Sequence, residues 1–206
     1  RDPLASKCKT QGVSILSVVN CYHWAALWPE IEALAKLGLV AIACTSYIPC
    51  VAPAGGTQAL FGTNPIAFGW PRGEGIPPFV FDQAMSASAR GEIMICQRDG
   101  KSIPEGWALD KDGSPTTDPA AALAGTQLAF GGYKGSAFAL MVELLSGALI
   151  GECFSYESEE LDNGDGGPVS GGEFILAINP PSCMATVDGT ATSASQLNHA
   201  ERLFDK

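Results

Sequence analysis

The sequence lacks the short motifs by which nucleotide sites and catalytic centres are most readily recognised. No G-x-G-x-x-G follows a predicted strand, and neither a G-x-x-x-x-G-K-S/T phosphate loop nor a G-x-S-x-G nucleophile turn occurs. A Rossmann dinucleotide site and a P-loop are therefore not indicated. H-E-x-x-H is also missing and the two histidines, His23 and His199, are far apart in sequence, so we predict no metal site.

Positive charge, long apolar runs and paired cysteines are scarce as well. The chain has 12 Lys and Arg against 22 Asp and Glu, and this net charge of −10 argues against nucleic acid or an anionic membrane as partner. No apolar run approaches the roughly 20 residues that span a bilayer, and the first residues do not form a signal sequence. The seven cysteines include no C-x-x-C pair, so we interpret them as reduced thiols of a soluble, cytoplasmic protein.

The composition is that of a globular domain with alternating strands and helices. Of the 206 residues, 46% are hydrophobic, which suffices for a core of its own, and we expect one domain over residues 1–206. The apolar patterns predict strands at 13–19, 39–44, 66–70, 79–81 and 174–178. They predict helices at 23–36, 86–97, 120–124, 136–150 and 194–204.

Some of these segments carry a further expectation about burial. The second helix should bury Ile93 and Met94, and the turn-rich segment 98–119 should contribute no core of its own. Segment 157–172 is acidic and glycine-rich without periodicity, which predicts a surface loop. The helix over 136–150 should bury one face: Phe138, Met141 or Val142, Leu145 and Leu149.

Two glycine-rich turns are the candidates for a ligand site. The first runs from Gly55 to Pro65 and leads into a strand, and the second, Gly131 to Gly135, opens a helix. Glycines allow backbone amides to approach a ligand where no side chain intervenes. The alternative is that Gly62 to Pro65 only turns the chain into a strand. The residues by themselves thus predict a soluble α/β domain with a small-molecule site.

Five motifs, in order along the chain, resemble those of the malate/L-lactate dehydrogenase-like family, a non-Rossmann group of oxidoreductases. They are N-C-Y-H-W-A-A-L-W at 20–28, G-G at 55–56 with G-T-N-P-I-A-F at 62–68, F-D-Q-A at 81–84 with A-R-G at 89–91, I-P-E-G-W-A at 103–108, and G-G-Y-K-G at 131–135. The resemblance covers nearly the whole chain. It implies an α/β fold with a mixed β-sheet and packed helices in two layers, which forms a non-Rossmann nucleotide-binding domain.

The form of the first motif resembles one subgroup in particular. Malate and lactate members usually carry H-F-G where this chain has H-W-A, and H-W-A-A-L-W is similar to the Δ1-piperideine-2-carboxylate/Δ1-pyrroline-2-carboxylate reductases. Those enzymes reduce cyclic imino acids to L-pipecolate or L-proline by hydride transfer from NADPH, with NADH as the alternative donor. Two other functions stay open: a malate- or lactate-type 2-hydroxy acid dehydrogenase using NAD(P), and a noncatalytic nucleotide-binding and dimerisation module.

The resemblance also implies what this chain does not carry. Family members are longer, with an N-terminal helical segment that supplies a Ser-His pair and an Arg, and with a C-terminal tail. We therefore expect residues 1–206 to be the single NAD(P)H-binding domain of a larger enzyme, with no catalytic residue in this chain and no activity alone. The family further implies a homodimer.

The site residues follow from the resemblance position by position. Thr63 would donate its hydroxyl to the substrate carboxylate. The residues that would contact the cofactor are His23, Trp24, Ala25, Ala26 and Leu27 at a helix N-terminus, Asp82, Gln83 and Ala84 at a strand end, Arg90 and Gly91, Tyr133 and Lys134 in the second glycine turn, and Asn198, His199, Ala200, Glu201, Arg202, Leu203 and Phe204 over the adenosine end.

Each of these roles has a simpler alternative. His23 and Asp82 could merely cap helices, and the Thr63 hydroxyl could satisfy its own turn. Arg90 could be an ordinary surface side chain. The pattern of residues 198–204 is also that of a helix packed on a core.

Overall fold

The computed structural model of the chain describes residues 2–22, 26–162, 170–183 and 193–206. It confirms the α/β fold class, with two sheets and packed helices. The helices are α1 (Asp2–Gln11), α2 (Trp28–Lys36), α3 (Arg90–Arg98), α4 (Pro119–Ala124), α5 (Tyr133–Glu143), α6 (Ser155–Glu160) and α7 (Ser193–Phe204). The strands are β1 (Val13–Cys21), β2 (Val40–Thr45), β3 (Val51–Ala52), β4 (Ile66–Trp70), β5 (Phe79–Gln83), β6 (Ala108–Leu109), β7 (Pro115–Thr116), β8 (Thr126–Leu128) and β9 (Gly171–Ile178).

The larger sheet has five strands in the order β1-β9-β2-β4-β5, and every neighbouring pair is antiparallel. Strand β9 lies between β1 and β2, so those two run in the same direction without pairing. As a result, β1, β2 and β5 end where β4 and β9 begin. We call this end of the sheet the cavity end, because a cleft opens there, and the opposite end the distal end.

Helices cover both faces of this sheet. Helices α1 and α2 pack on one face, where Leu4 and Ile31 share a buried core with Ala41 of β2. Helix α5 packs on the other face, where Val142 meets Cys44 and Phe174. The alternation of side chains along β2 explains why residues 41 and 44 reach different cores.

The smaller sheet has the order β3-β8-β6-β7 and mixes parallel and antiparallel pairs. Beside it, Ile93 of α3 and Ala122 of α4 form a core with Ile103 and Ala108. The expectation that segment 98–119 contributes no core was therefore wrong. Its short apolar pieces are buried because two helices close over them, which no local pattern reveals.

Several predicted elements begin elsewhere than expected. Helix α2 begins at Trp28 and α3 begins at Arg90, several residues after the predicted starts. Pro29 lies at the first helical position, where the absent N–H costs nothing. The segment predicted as an acidic loop contains α6 at its start and the first residues of β9 at its end.

Several side chains that should be buried are exposed. Met94 is 56% exposed, and Phe138 and Leu149 are 46% and 61% exposed. After Glu143 the α-helix continues as a π-helical turn, Leu144–Ala148, which changes the residues per turn and breaks the expected face. Helix α1 was not predicted at all, and no helix of the described residues is long and apolar enough to cross a membrane.

Candidate functional site

A cleft of about 670 Å³ opens at the cavity end of the larger sheet. The ends of β1, β2 and β5, the start of β9, the first turn of α3 and one residue of α6 contribute to its walls. The residues that line it are Cys21, Tyr22, Thr45, Ser46, Tyr47, Thr63, Pro65, Asp82, Gln83, Ala84, Ala89, Arg90, Gly91, Met94, Ser158, Ser170 and Gly171.

Thr63 lies in a tightly constrained loop between β3 and β4. Its carbonyl accepts a hydrogen bond from the backbone N–H of Met85 at 2.8 Å. A Cβ at Gly62 would lie 2.6 Å from the carbonyl oxygen of Tyr47, so only glycine fits there. The next residue, Asn64, is fully buried and has a φ of +44°. The loop therefore presents Thr63 to the cleft from a fixed backbone.

Asp82 joins the cleft to the start of α2. Its Oδ2 accepts hydrogen bonds from the backbone N–H groups of Leu27 at 2.8 Å and Trp28 at 3.1 Å. Asp82 thus caps a helix that lies far from it in sequence. The N–H groups at the start of α2, which we expected to face a phosphate, are bound by this carboxylate, and the Leu27 side chain is buried in the core.

The start of α3 has the opposite character. Its N-cap residue, Ala89, provides no side-chain acceptor for the first N–H groups of the helix. Ala89, Arg90 and Gly91 all line the cleft, so the positive end of the helix dipole opens into it. Arg90 is the one basic side chain among the described residues that line the cleft, and its Nη2 donates to the carbonyl of Leu123 at 3.3 Å. This arrangement suits an anion.

The thiol of Cys50 lies behind Arg90. Burial raises the pKa of Cys50 to about 11, although Arg90 acts in the opposite direction. The cysteine is therefore a neutral thiol at physiological pH, and it leaves the positive charge of Arg90 uncompensated. Within the lining, the negative charge comes from Asp82, which the start of α2 already binds.

Helix α7 lies at the distal end of the sheet. Arg72 forms an ion pair with Glu201 at 2.6 Å and lies over the ring of Phe204, 4.5 Å from its centroid. Phe204 also contacts Phe79 at the start of β5. Gln83 lies four positions after Phe79 in the same strand, so the two residues are about 13 Å apart. The face of β5 that carries Gln83 also carries the exposed rings of Phe81 and Phe79.

The structure brings one group of the predicted site residues together and leaves others apart. Those that meet in the cleft are Thr63, Asp82, Gln83, Ala84, Arg90 and Gly91. Leu27 connects to it through the Asp82 carboxylate, and Ala26 directly precedes Leu27 without lining the cleft. His23, Trp24 and Ala25 lie outside the described residues.

The remaining predicted residues lie away from the cleft walls. Tyr133 and Lys134 are exposed at the start of α5, where the hydroxyl of Ser136 accepts a hydrogen bond from the N–H of Ala54, directly before the first glycine turn. The two glycine turns are therefore neighbours. The segment 198–204 belongs to α7 at the distal end.

Sequence reasoning missed several residues of the cleft. Thr45 is the last residue of the apolar strand β2, Ser46 and Tyr47 follow it directly, and Ser158 belongs to α6. A polar group after a buried strand is the signal that could have indicated the first three. Their meeting with Thr63 depends on strand order, which the sequence does not state. Among the described residues, no group of three or more His, Cys, Asp or Glu side chains could hold a metal ion.

The chain is similar to known proteins both in sequence and in structure. The family described as malate/L-lactate dehydrogenase matches residues 2–202. A Δ1-pyrroline-2-carboxylate reductase of Ancylobacter novellus is 52% identical over 98% of this chain and 57% of its own length. A Δ1-pyrroline-2-carboxylate/Δ1-piperideine-2-carboxylate reductase of Pseudomonas aeruginosa is 52% identical over 98% of this chain and 59% of its own length.

The solved structures include a similar fold. The crystal structure of Δ1-piperideine-2-carboxylate reductase from Pseudomonas syringae pvar. tomato superposes with a TM-score of 0.86 and 42% identity, over 100% of this chain and 60% of that chain. The present chain thus spans less than two thirds of the length of each of these relatives.

Proposed function

Because this chain belongs to the malate/L-lactate dehydrogenase family, we propose that the protein that contains it is an NAD(P)H-dependent oxidoreductase that reduces cyclic imino acids. The substrates would be Δ1-pyrroline-2-carboxylate and Δ1-piperideine-2-carboxylate, the compounds in the names of the relatives at 52% identity. The products would be L-proline and L-pipecolate. The relatives are longer than this chain, so the activity is proposed for the whole protein.

One observation carries the proposal: the first turn of α3 and Arg90 form an anion site in the same cleft as Thr63. Both the nicotinamide dinucleotide and the imino acid are anions. The uncapped N–H groups of α3 and the Arg90 guanidinium supply hydrogen-bond donors and positive charge for one of them. The Thr63 hydroxyl would donate to the carboxylate of the other.

The surface of β5 fits a dinucleotide that extends from the cleft toward the distal end. Gln83, Phe81 and Phe79 lie on one exposed face, and Phe204 of α7 continues it. We propose that the nicotinamide end lies in the cleft and the adenosine end near α7. When bound, the nicotinamide supplies a hydride to the imine carbon. The chain would hold the nicotinamide and the imino acid so that the hydride donor faces the imine carbon. Such alignment of the reacting atoms is a large part of catalysis.

NADPH is the cofactor that we propose, and Lys134 is the residue that would supply a further cation to it. Lys134 is exposed beside the two neighbouring glycine turns. An exposed ammonium group there could bind a phosphate or a ribose hydroxyl. A preference for NADPH over NADH would depend on a positive charge near the 2′-phosphate.

We also propose that the protein is a cytoplasmic homodimer. The free thiols of Cys8, Cys44 and Cys50 are buried, as suits a reducing compartment. Val13 and Ile15 of the edge strand β1 are 50% and 51% exposed, and exposed apolar side chains on an edge strand favour pairing with another copy. Sedimentation of the whole protein measures its mass, and a monomer would contradict the dimer.

The experiment that tests the function uses the whole protein that contains this chain. NADPH and NADH are titrated and followed by nicotinamide fluorescence, and Δ1-pyrroline-2-carboxylate is then added to measure turnover. We expect saturable binding, tighter for NADPH, and oxidation of NADPH only when the imino acid is present. Turnover of malate or lactate with NAD, without imino acid reduction, would favour the 2-hydroxy acid dehydrogenase of the same family.

Substitutions of single basic residues test where the anion is bound. Arg90→Ala should weaken nucleotide binding or raise the KM of the imino acid about tenfold or more, since a charge-assisted hydrogen bond is lost. Lys134→Ala should weaken NADPH binding about threefold, because the side chain is exposed. Arg98→Ala is the matched control at the other end of α3, where the side chain is exposed and far from the cleft. Equal effects of Arg90→Ala and Arg98→Ala would contradict the assignment.

A further inference from the structure

Glu143 is a carboxylate buried on α5, behind the loop that carries Thr63. The residue is 4% exposed, and none of the ion pairs between described residues includes it. Neutral donors surround it instead. The Nδ2 of Asn64 donates to Oε1 at 2.7 Å, and the N–H of Ser155 donates to Oε2 at 2.9 Å. Because a buried carboxylate without a counter-ion is costly, these hydrogen bonds are what keep it there.

Hydrogen bonds connect the Glu143 carboxylate with both residues that flank Thr63, one directly and one through Ser155. Asn64 follows Thr63 and contacts the carboxylate directly. Gly62 precedes Thr63, and its N–H donates to the hydroxyl of Ser155 at 2.9 Å, while that hydroxyl donates to Oε1 of Glu143. The two sides of the loop thus converge on one carboxylate.

Among the described residues, Glu143 and Ser155 are the side chains whose hydrogen bonds connect Gly62 with Asn64, and Glu143 is the charged member of this pair. Asn64 has one further bond, from Nδ2 to the carbonyl of Ala139 at 3.0 Å, and it holds a left-handed φ of +44° that needs support. Both of its partners belong to α5. The π-helical turn begins directly after Glu143, and such turns often occur at functional sites.

We propose that Glu143 is a positioning residue, whose negative charge sets the conformation of the Gly62–Asn64 loop and so directs the Thr63 hydroxyl into the cleft. The proposal deepens the proposed function and rests on it, because it takes Thr63 to bind the substrate carboxylate. Glu143 does not touch the substrate. Replacing it by Gln keeps the volume but turns one acceptor into an NH2 group that faces the donors of Asn64 or Ser155.

The test compares Glu143→Gln with wild type in the whole protein. We expect the KM of the imino acid to rise about tenfold, while the dissociation constant of NADPH changes less than about twofold. Glu143→Asp keeps the charge and should recover part of the lost affinity. Glu157→Gln is the matched control, since its carboxylate accepts the N–H of Phe154 at the start of α6 but does not contact the loop. An unchanged KM in Glu143→Gln would overturn the proposal.

A double-mutant cycle with Thr63→Ala separates positioning from a general loss of stability. If Glu143 acts through Thr63, Glu143→Gln should raise KM by less than about twofold in the Thr63→Ala background. Additive effects would overturn the proposal. Amide exchange of Gly62 and Asn64 gives a readout without activity, and faster exchange is expected in Glu143→Gln. Wild type that reduces no imino acid would contradict the proposed function, while the exchange result would still decide whether Glu143 holds the loop.

Discussion

The two ends of the five-stranded sheet are held by different kinds of interaction. At the cavity end, loops and helix starts bind to buried or half-buried carboxylates that are distant in sequence, as Leu27 binds to Asp82 and Asn64 binds to Glu143. At the distal end, α7 is attached by one half-buried ion pair, by contacts between aromatic rings at the surface, and by a hydrogen bond from Nε2 of Gln196 to the carbonyl of Pro180. The cavity end is built to keep one geometry, whereas the distal end can release its helix at little cost.

The difference is consistent with a site that fixes the reacting groups and lets the rest of a ligand enter. Hydrogen bonds in a low-dielectric interior are strong and costly to break. A half-buried ion pair such as Arg72–Glu201 contributes less than a buried network, and an element with few buried contacts, such as α7, opens most readily. We therefore expect substitutions at the cavity end to change stability and affinity together, and substitutions at the distal end to change the mobility of α7 first.

The largest expected effect concerns Glu173, which lies on β9 just behind the cleft. It is fully buried, and among the described residues neither of its carboxylate oxygens has a hydrogen-bond partner. Its strand neighbours are Val18 and Thr45, and burial, with a smaller effect of Glu30, raises its pKa to about 8. Unlike Glu143, it is thus a buried acid to which no described residue donates a hydrogen bond.

The sign of the pH dependence follows from this raised pKa. Between about pH 5 and pH 8 the folded protein keeps the proton of Glu173 and the unfolded chain loses it, so stability falls as pH rises. Glu173→Gln removes this loss and should stabilise the protein by about 3 kcal/mol at pH 8, but hardly at pH 5. Thermal unfolding over this range measures it. The exposed Glu105→Gln is the control, and equal pH profiles of Glu173→Gln and wild type would contradict the expectation.

A smaller effect is expected at Asp82. Asp82→Ala removes the acceptor of two N–H groups at the start of α2, which should cost about 1 to 2 kcal/mol and speed amide exchange at Leu27 and Trp28. Asp118→Ala is the matched control, because Asp118 caps α4 through the N–H of Ala120 and does not line the cleft.

The two variants should lose similar stability, but only Asp82→Ala should also weaken nucleotide binding. Unchanged exchange at Leu27 and Trp28 in Asp82→Ala would show that the cap does not hold α2. Unchanged nucleotide affinity would show that α2 and the cleft are independent, which would remove Asp82 from the site while leaving its structural role.

The structural features that depend only on residues next to one another could be predicted from the sequence. Strand β4 was predicted with its observed bounds, and α4 within one residue of its start, since a capping Asp118 and the proline that follows it are local signals. The residue-by-residue resemblance identified Thr63, Asp82 and Arg90, which the structure brings into one cleft.

The rest depends on contacts between distant parts of the chain. The place of β9 between β1 and β2 is set by pairing across more than a hundred residues, for example Val13 with Ile178. The role of Glu143 also depends on such a contact. In the sequence it is a single acid in an apolar helix, and only the folded chain brings Asn64 beside it. Asp82 was named as a possible helix cap, but that it caps the distant helix α2 could not be predicted, since caps are recognised from residues next to the helix.

The smallest effect is expected at the distal end, where Arg72→Ala removes both the ion pair with Glu201 and the contact with Phe204. Amide exchange in α7 should rise about threefold, while exchange in the five strands stays unchanged.

The effect should also depend on pH. Arg72 lowers the pKa of Glu201, so the ion pair contributes to stability above the ordinary pKa of a carboxyl, and this contribution is lost as pH falls. The difference from wild type should therefore be largest at neutral pH and shrink in acid to what the contact with Phe204 contributes. Lys36→Ala, which removes an exposed ion pair on α2, is the control. If Arg72→Ala also loosened the cavity end, the two ends would be coupled through β5, and the contrast between them would be wrong.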